Sequence, residues 1–465
     1  MDVIIKNVTI ITASEYYEAD LAVQNGKIVM IGRHLGIEAD NVIDASNKYV
    51  LPGALDVHVH LETPVGDLVS ADTCESGTCA AACGGVTTVF DFVVPGKGQS
   101  MVEAIHEKIR NFEVQSCVDY AFHGVITGRT ANISGELETS AEIGVSSFKL
   151  YMVYPDLMVD DGILAEALEK SRETGTLIEV HAENPFIIDR RIEKFLSEGK
   201  TSAWYHYESR PEFVEAEAVK RAIHIAKAQN APLYIVHLAC REGLEEVTKA
   251  RDEGYEIYAE TCPHYLEFTN EVYQREDGRY FVCSPPIKGE DSKSALWDGI
   301  KRGDISTVAT DHCPFQSFEK DLGKSDFTKI PNGCMGIENL YPYMLSEANK
   351  GHISFEKAVE VCCTNPAKIF GCAPQKGSLS VGSDADVVIY DPKKSFVVSA
   401  GNMHSKVDYT IWEGKQISGY PIMVFSRGRL VYKEGSFVGS PGWGNFIKCG
   451  RHKISKEVSS CIKKA

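Results

Sequence analysis

Short apolar runs recur through the middle of this chain, at 54–61, 87–93, 119–126, 146–153, 177–183, 233–239, 255–260 and 306–311. Most are short and continuously apolar, the texture of parallel strands covered on both faces. Between several of them, at 73–84, 101–113, 162–174, 212–229 and 241–252, apolar residues return every three or four positions, as on amphipathic helices. Pro211 stands at the start of the fourth of these, where proline is tolerated. Eight strand–helix units predict an α/β fold, a (β/α)8 TIM barrel over residues 54–376. A doubly wound sheet is the alternative architecture.

The two ends have a different texture. Val3–Ile5, Val8–Ile11, Ala19–Val23, Lys27–Gly32, Val42–Asp44 and Tyr49–Leu51 read as short strands, with Gly26 at a hairpin turn. Similar strands are predicted at 385–390, 422–426 and 429–432. Neither segment has enough apolar surface to stand alone. We therefore expect residues 1–53 and 377–440 to combine into one smaller β-sandwich domain, followed by a C-terminal tail at 441–465.

Composition narrows the function. At 465 residues, a net charge of −17 gives no basic surface for nucleic acid. The mildly basic stretch from Arg451 to Lys464 reads as a solvated tail. The opening residues read as a strand rather than a cleavable leader, and no run is long enough to span a bilayer. The 14 cysteines lack the paired short spacings of a zinc knuckle, so reduced, buried thiols in a cytoplasmic protein are expected.

Polar residues fall where a barrel enzyme would put its chemistry. In Asp56-Val57-His58-Val59-His60, side chains two apart on a strand point the same way, so both histidines can face the barrel axis. A pair of satisfied core histidines is the plain alternative. His181, His237 and Asp311, however, each end a different apolar strand, at the rim that carries barrel active sites. Lys149 interrupts the fourth run, where a buried ammonium is costly and has no lone pair for a metal. Converted to a carbamate, it would be an anion able to bridge two cations. A snorkelling lysine is the alternative.

Specific landmarks run along nearly the whole chain. They include DVHVHLE at 56–62, AACGGVTT at 81–88, SSFKLYMVY at 146–154, HAEN at 181–184 and SRPEFVEAEAV at 209–219. APLYIVHLA at 231–239, ETCPHYL at 260–266, SPP at 284–286, TDHCPF at 310–315 and NPAKIFG at 365–371 continue the series. In these the chain resembles the cyclic amidohydrolases of the dihydropyrimidinase and D-hydantoinase branch, bacterial D-phenylhydantoinases in particular. The resemblance implies two divalent ions, zinc with manganese or cobalt as substitutes. His58, His60 and Asp311 would bind one ion, His181 and His237 the other, and a carboxylated Lys149 would bridge both. Tyr154 would face the substrate carbonyl, and Ser284 and Asn332 would hold the ring amides. It also implies a homotetramer, in which the 441–465 tail would reach a neighbouring subunit.

The implied reaction opens a 5-substituted hydantoin or dihydropyrimidine to an N-carbamoyl amino acid. A metal-bridging hydroxide attacks, and Asp311 carries its proton to the leaving ring nitrogen. Glu62 stands where dihydroorotases have an arginine, and would repel a substrate carboxylate if it faced the pocket. Leu61, Val65, Leu68, Phe92, Val93, Leu157 and Met158 are candidates for an apolar wall, or ordinary loop anchors. Allantoinase is the alternative enzyme. A non-catalytic scaffold on the same barrel is the alternative class, and the filled set of metal-ligand positions weighs against it.

Overall fold

The computed structural model describes residues 1–128, 130 and 132–452. All eight apolar runs become strands of one parallel sheet: Ala54–Val59, Val86–Val93, Asp119–Val125, Ser147–Tyr151, Leu177–His181, Leu233–Ile235, Ile257–Thr261 and Thr307–Val308. They are neighbours in chain order, as successive strand–helix crossovers of one hand produce. The seam between the first and last is closed just beyond the eighth strand. Val59 bridges His312, and the His60 N–H donates to the His312 carbonyl at 2.8 Å. Asp56 accepts from the Thr310 N–H at 3.0 Å and from its hydroxyl at 2.6 Å. The sheet is thus a (β/α)8 barrel, not a doubly wound sheet.

The five expected helices form at Cys74–Cys83, Met101–Gln115, Asp161–Thr174, Glu212–Gln229 and Arg241–Asp252. Their starts are chemically marked. Ser100 and Glu103 make a reciprocal capping box, and Asp160 accepts from the Ile163 N–H. Further helices at Ile133–Ile143, Pro185–Ser197, Glu290–Arg302 and Leu340–Asn349 complete the outer layer.

Inside the barrel, below the histidines, Phe90, Ala121, Leu177 and Tyr234 form an apolar layer with Phe370. The Phe370 ring lies 5.5 Å from Phe90, 5.0 Å from His123 and 5.1 Å from Tyr234, centroid to centroid, and so plugs the end away from the rim. Ile447 and Cys449 of the tail join the same cluster. Tyr120 donates to the Asn445 carbonyl at 3.0 Å and accepts from the Ile447 N–H at 2.7 Å. Residues 445–452 therefore line this chain's own barrel; 453–465, with the basic stretch, lie outside the described residues.

The chain ends do combine. Tyr49–Pro52 pairs antiparallel with Val387–Val397, inside a nine-stranded mixed sheet. Val3–Ile11 forks: its first half pairs with Asn41–Asp44 and its second with Tyr49–Pro52. The expected sandwich is thus hydrogen-bonded as one branched sheet, around a core containing Ile5, Ile10, Leu21, Val50, Val387 and Phe425.

Lys376 ties this domain to the barrel. Its buried ammonium meets Asp119 at the start of the third barrel strand, with Asp386 at 2.7 Å and Asp384 at 3.0 Å. Arg427 adds a contact to Asp119 at 3.0 Å. Burial opposes the charge, but the three carboxylates outweigh it and hold Lys376 above the usual lysine range.

Candidate metal centre and active site

At the barrel rim, Asp311 Oδ1 lies 3.2 Å from His58 Nε2 and 3.1 Å from His60 Nε2. Ligand atoms of the three residues all fall within 4.8 Å of one another. His58 is sealed, whereas the side chains of His60 and Asp311 are 13% and 12% exposed and form the solvent-facing edge. The His237 ring stands 5.3 Å from His58 and 4.5 Å from His181, so the four imidazoles form a continuous arc.

Lys149 projects from the centre of its strand into this arc, between Val125 and Glu179 in register. Its amine is fully buried, 5.0 Å from the Phe92 ring centre and 5.3 Å from that of Tyr151. Lys149 Nζ, His58 Nε2 and His237 Nδ1 are all buried without a hydrogen-bond partner. Such atoms are costly one at a time and rarer together. Their convergence beside an ionised carboxylate fits a cation held by imidazole nitrogens and oxygens.

The electrostatics suit that role. Burial lowers the pKa of His58, His181 and His237, leaving neutral imidazoles with lone pairs to give. Burial opposes ionisation of Asp311, but His58, His60 and Lys149 outweigh it and hold the carboxyl well below the usual range. Burial also lowers Lys149 to about 8, so part of its amine is unprotonated near neutral pH.

The residues that aim the ligands were not singled out in the sequence. Glu260 Oε1 is 2.6 Å from His58 Nδ1 and accepts from the His237 N–H at 3.0 Å, while Oε2 accepts from the Tyr234 hydroxyl at 2.8 Å. Glu183 Oε2 lies 2.9 Å from His181 Nε2 and 2.7 Å from Arg210 Nη1, fixing the other end of the arc. HAEN thus supplies a rim imidazole, the carboxylate that orients it, and the Asn184 cap of the Pro185–Ser197 helix. A carboxylate two residues beyond a strand-end histidine was the available signal for Glu183. Glu260 meets His58 only through the fold.

Tyr154, Ser284 and Asn332 come together beside this centre. The Tyr154 hydroxyl bonds with the Ser284 side chain, and Asn332 Nδ2 donates to Ser284 Oγ at 3.0 Å. The Tyr154 ring lies 5.2 Å from that of His181. Tyr154, His237 and Asp311 have φ of +74°, +36° and +50°, left-handed conformations unusual for such side chains. Each lies just beyond the end of its strand, at Tyr151, Ile235 and Val308, so the sixth strand stops at Ile235 rather than at 239.

Glu62 does not face the centre: its carboxylate accepts from Asn111 Nδ2 at 3.0 Å, on an outer helix. It therefore cannot repel a substrate carboxylate directly. His312 is a satisfied core group, with Nε2 at 3.0 Å from Asp72 and Nδ1 accepting from the Gly336 N–H at 3.1 Å. Leu61 packs into the core beside Gly77. Phe92 stacks on His60, while Leu157 packs in the cluster of Phe92, Val125 and Tyr151.

The amidohydrolase family model matches residues 49–431. The D-hydantoinase of Ralstonia pickettii is 43% identical over 457 residues, covering 97% of this chain and 100% of that protein. The D-phenylhydantoinase of Escherichia coli O9:H4 (strain HS) is 40% identical over 453 residues, covering 96% and 98%. The crystal structure of dihydropyrimidinase from Brevibacillus agri NCHU1002 superposes with a TM-score of 0.95 at 39% identity, covering 98% of this chain and 100% of that one. With the barrel, the rim cluster and this end-to-end similarity in agreement, the chain belongs to the amidohydrolase family, in its hydantoinase and dihydropyrimidinase branch.

Proposed function

We propose that this protein is a metal-dependent cyclic amidase that opens 5-substituted hydantoins or dihydropyrimidines to N-carbamoyl amino acids. The observation that carries this reading is the meeting of His58, His60 and Asp311 beside the unpartnered Lys149 amine. His58, His60 and Asp311 would hold one divalent ion, His181 and His237 the other, and Lys149 would serve both. The Lys149 nitrogen attacks carbon dioxide and loses a proton, giving a carbamate whose two oxygens replace the repelling ammonium. Zinc suits the imidazole-rich donor set. When bound, the ions would supply hydroxide near neutral pH and polarise the ring carbonyl.

The protein's own groups do the rest. Asp311 turns Oδ1 toward both His58 and His60, which leaves Oδ2 to take the proton of the attacking water and pass it to the leaving ring nitrogen. The Tyr154 hydroxyl donates to the carbonyl oxygen as negative charge grows there. Ser284 and Asn332 hold the ring amides in register. The ring is uncharged, so shape and amide hydrogen bonds suffice for recognition.

The 13 cysteines among the described residues are all free, which suits a cytoplasmic setting. No helix among the described residues is long and apolar enough to cross a membrane. The family resemblance supports a homotetramer, which light scattering would measure.

The deciding experiment gives zinc-loaded protein, with bicarbonate, equal amounts of dihydrouracil, racemic 5-phenylhydantoin and allantoin. Opening of phenylhydantoin first supports a broad apolar mouth; opening of dihydrouracil first supports a tighter one. Opening of allantoin alone, or of no ring by metal-loaded protein, overturns the assignment.

A further inference from the structure

A second set of metal-ligating side chains converges away from the rim, where the Cys74–Cys83 helix meets the end of the β domain. Ligand atoms of Cys83, Glu338 and His404 lie within 4.8 Å of one another. Cys79 stands four residues before Cys83 on the same helix face, and the two thiols are hydrogen-bonded. His404 comes from the segment between the Val387–Val397 and Gln416–Ser426 strands. Its Nδ1 is 2.8 Å from Glu338 Oε1, and its N–H donates to Glu338 Oε2 at 2.7 Å.

We propose that Cys79, Cys83, Glu338 and His404 form a second metal site, separate from the catalytic centre, which takes one zinc-class ion and clamps residues 399–415 to the barrel.

Two sulfurs, one imidazole and one carboxylate make a complete tetrahedral set for such an ion. Ligand atoms around it stand roughly 3.3–3.8 Å apart, so Cys83, Glu338 and His404 need to contract by up to about 1.5 Å, with the Cys79 thiol turning in to join them. The parts able to move are the right ones: Cys79 and His404 are half-buried, whereas Cys83 and Glu338 are sealed. The backbone beneath is fixed, because Glu338 packs directly on Gly84, where a Cβ would stand 2.4 Å from the Glu338 carbonyl oxygen. A small cavity of about 10 Å³, room for roughly one water-sized sphere, lies against Glu338, Met403 and Ser405. Each thiol would release its proton as its sulfur binds.

The clamp would act next to the catalytic machinery. The Ser405 hydroxyl and the Lys406 N–H, the latter at 2.8 Å, both donate to Asp72. Asp72 also holds His312 Nε2 at 3.0 Å, and His312 follows Asp311 in the chain.

Cobalt distinguishes the two sites, because the catalytic set contains no sulfur. The full-length protein, stripped and reloaded with Co2+, is expected to show a thiolate-to-cobalt charge-transfer band in the near ultraviolet. It should also bind one cobalt per chain beyond the catalytic complement. Cys83→Ser should lose the band and that single equivalent, while keeping its far-ultraviolet circular dichroism and the catalytic cobalt. Should Cys83→Ser fail to fold, Cys79→Ser and His404→Ala, at half-buried positions, carry the same test. Absence of the band from the unaltered protein overturns the proposal. So does a band that survives in every folded variant.

Discussion

Glu260 holds His58 by its inner nitrogen: Oε1 and Nδ1 are 2.6 Å apart, and Nε2 is thereby turned toward Asp311, 3.2 Å away. The same carboxylate accepts from the His237 N–H. One side chain from the seventh strand thus sets the direction of an imidazole on the first and the backbone bend on the sixth. Glu260→Gln keeps the shape but offers His58 a weaker and ambiguous acceptor. Metal affinity should fall about 10- to 100-fold, measured by competition with a chromophoric chelator.

Lys149→Met separates catalysis from folding. It replaces an amine that has no partner with a side chain of similar length and no polar atom. Ring opening should drop by on the order of a thousandfold or more as the bridging anion is lost. The melting temperature of the metal-free protein should stay level or rise, because an unpaired buried polar group has been removed. A metal-free variant that melts well below its parent would show that the Lys149 amine supports the fold.

Removing the Tyr154 hydroxyl tests its place in the reaction. Tyr154→Phe keeps the ring against His181 and loses the donor. We expect kcat to fall about 100- to 1,000-fold, with a smaller change in KM, if the bond strengthens as charge develops on the carbonyl oxygen. Steady-state kinetics would show it, and a change confined to KM would assign Tyr154 to ground-state binding.

His206 gives an acid limit to stability. It is buried, its Nε2–H donates to the Cys283 carbonyl at 2.8 Å, and burial beside Arg210 lowers its pKa from 6.5 to about 3. Below pH 6.5 the unfolded chain takes up this proton and the folded one does not. The contribution is therefore intact above pH 6.5 and is lost as pH falls toward 3, to an extent of roughly a few kcal/mol. His206→Gln, which can still donate, should flatten the fall in melting temperature between pH 6.5 and 3. An unchanged slope would assign acid unfolding to other groups.

Much of this is legible in the sequence because strands and ligands obey simple periods. All eight barrel strands were marked by apolar runs, and the rim residues His181, His237 and Asp311 by a polar residue ending such a run. The Leu340–Asn349 helix was hidden because eight of its ten residues are buried, leaving no polar stripe, and Pro342 sits within it. The apolar runs at 233–239 and 306–311 extend past their strands because the left-handed conformations of His237 and Asp311 have no hydropathic mark. Glu260 and Arg210 escaped for a different reason. Their partners are 202 and 27 residues away, and only chain closure makes them neighbours.

The junction at Lys376 has a consequence for how the molecule comes apart. Asp119 belongs to the barrel, Asp384 and Asp386 to the returning segment, and one ammonium serves all three. Separating the two lobes would strand carboxylates of both at sites built to exclude water, a heavier penalty than parting two apolar faces. We therefore expect a single calorimetric transition for the whole chain, and Lys376→Met to split or broaden it. A barrel excised at residue 376 should be insoluble even though every catalytic side chain is retained.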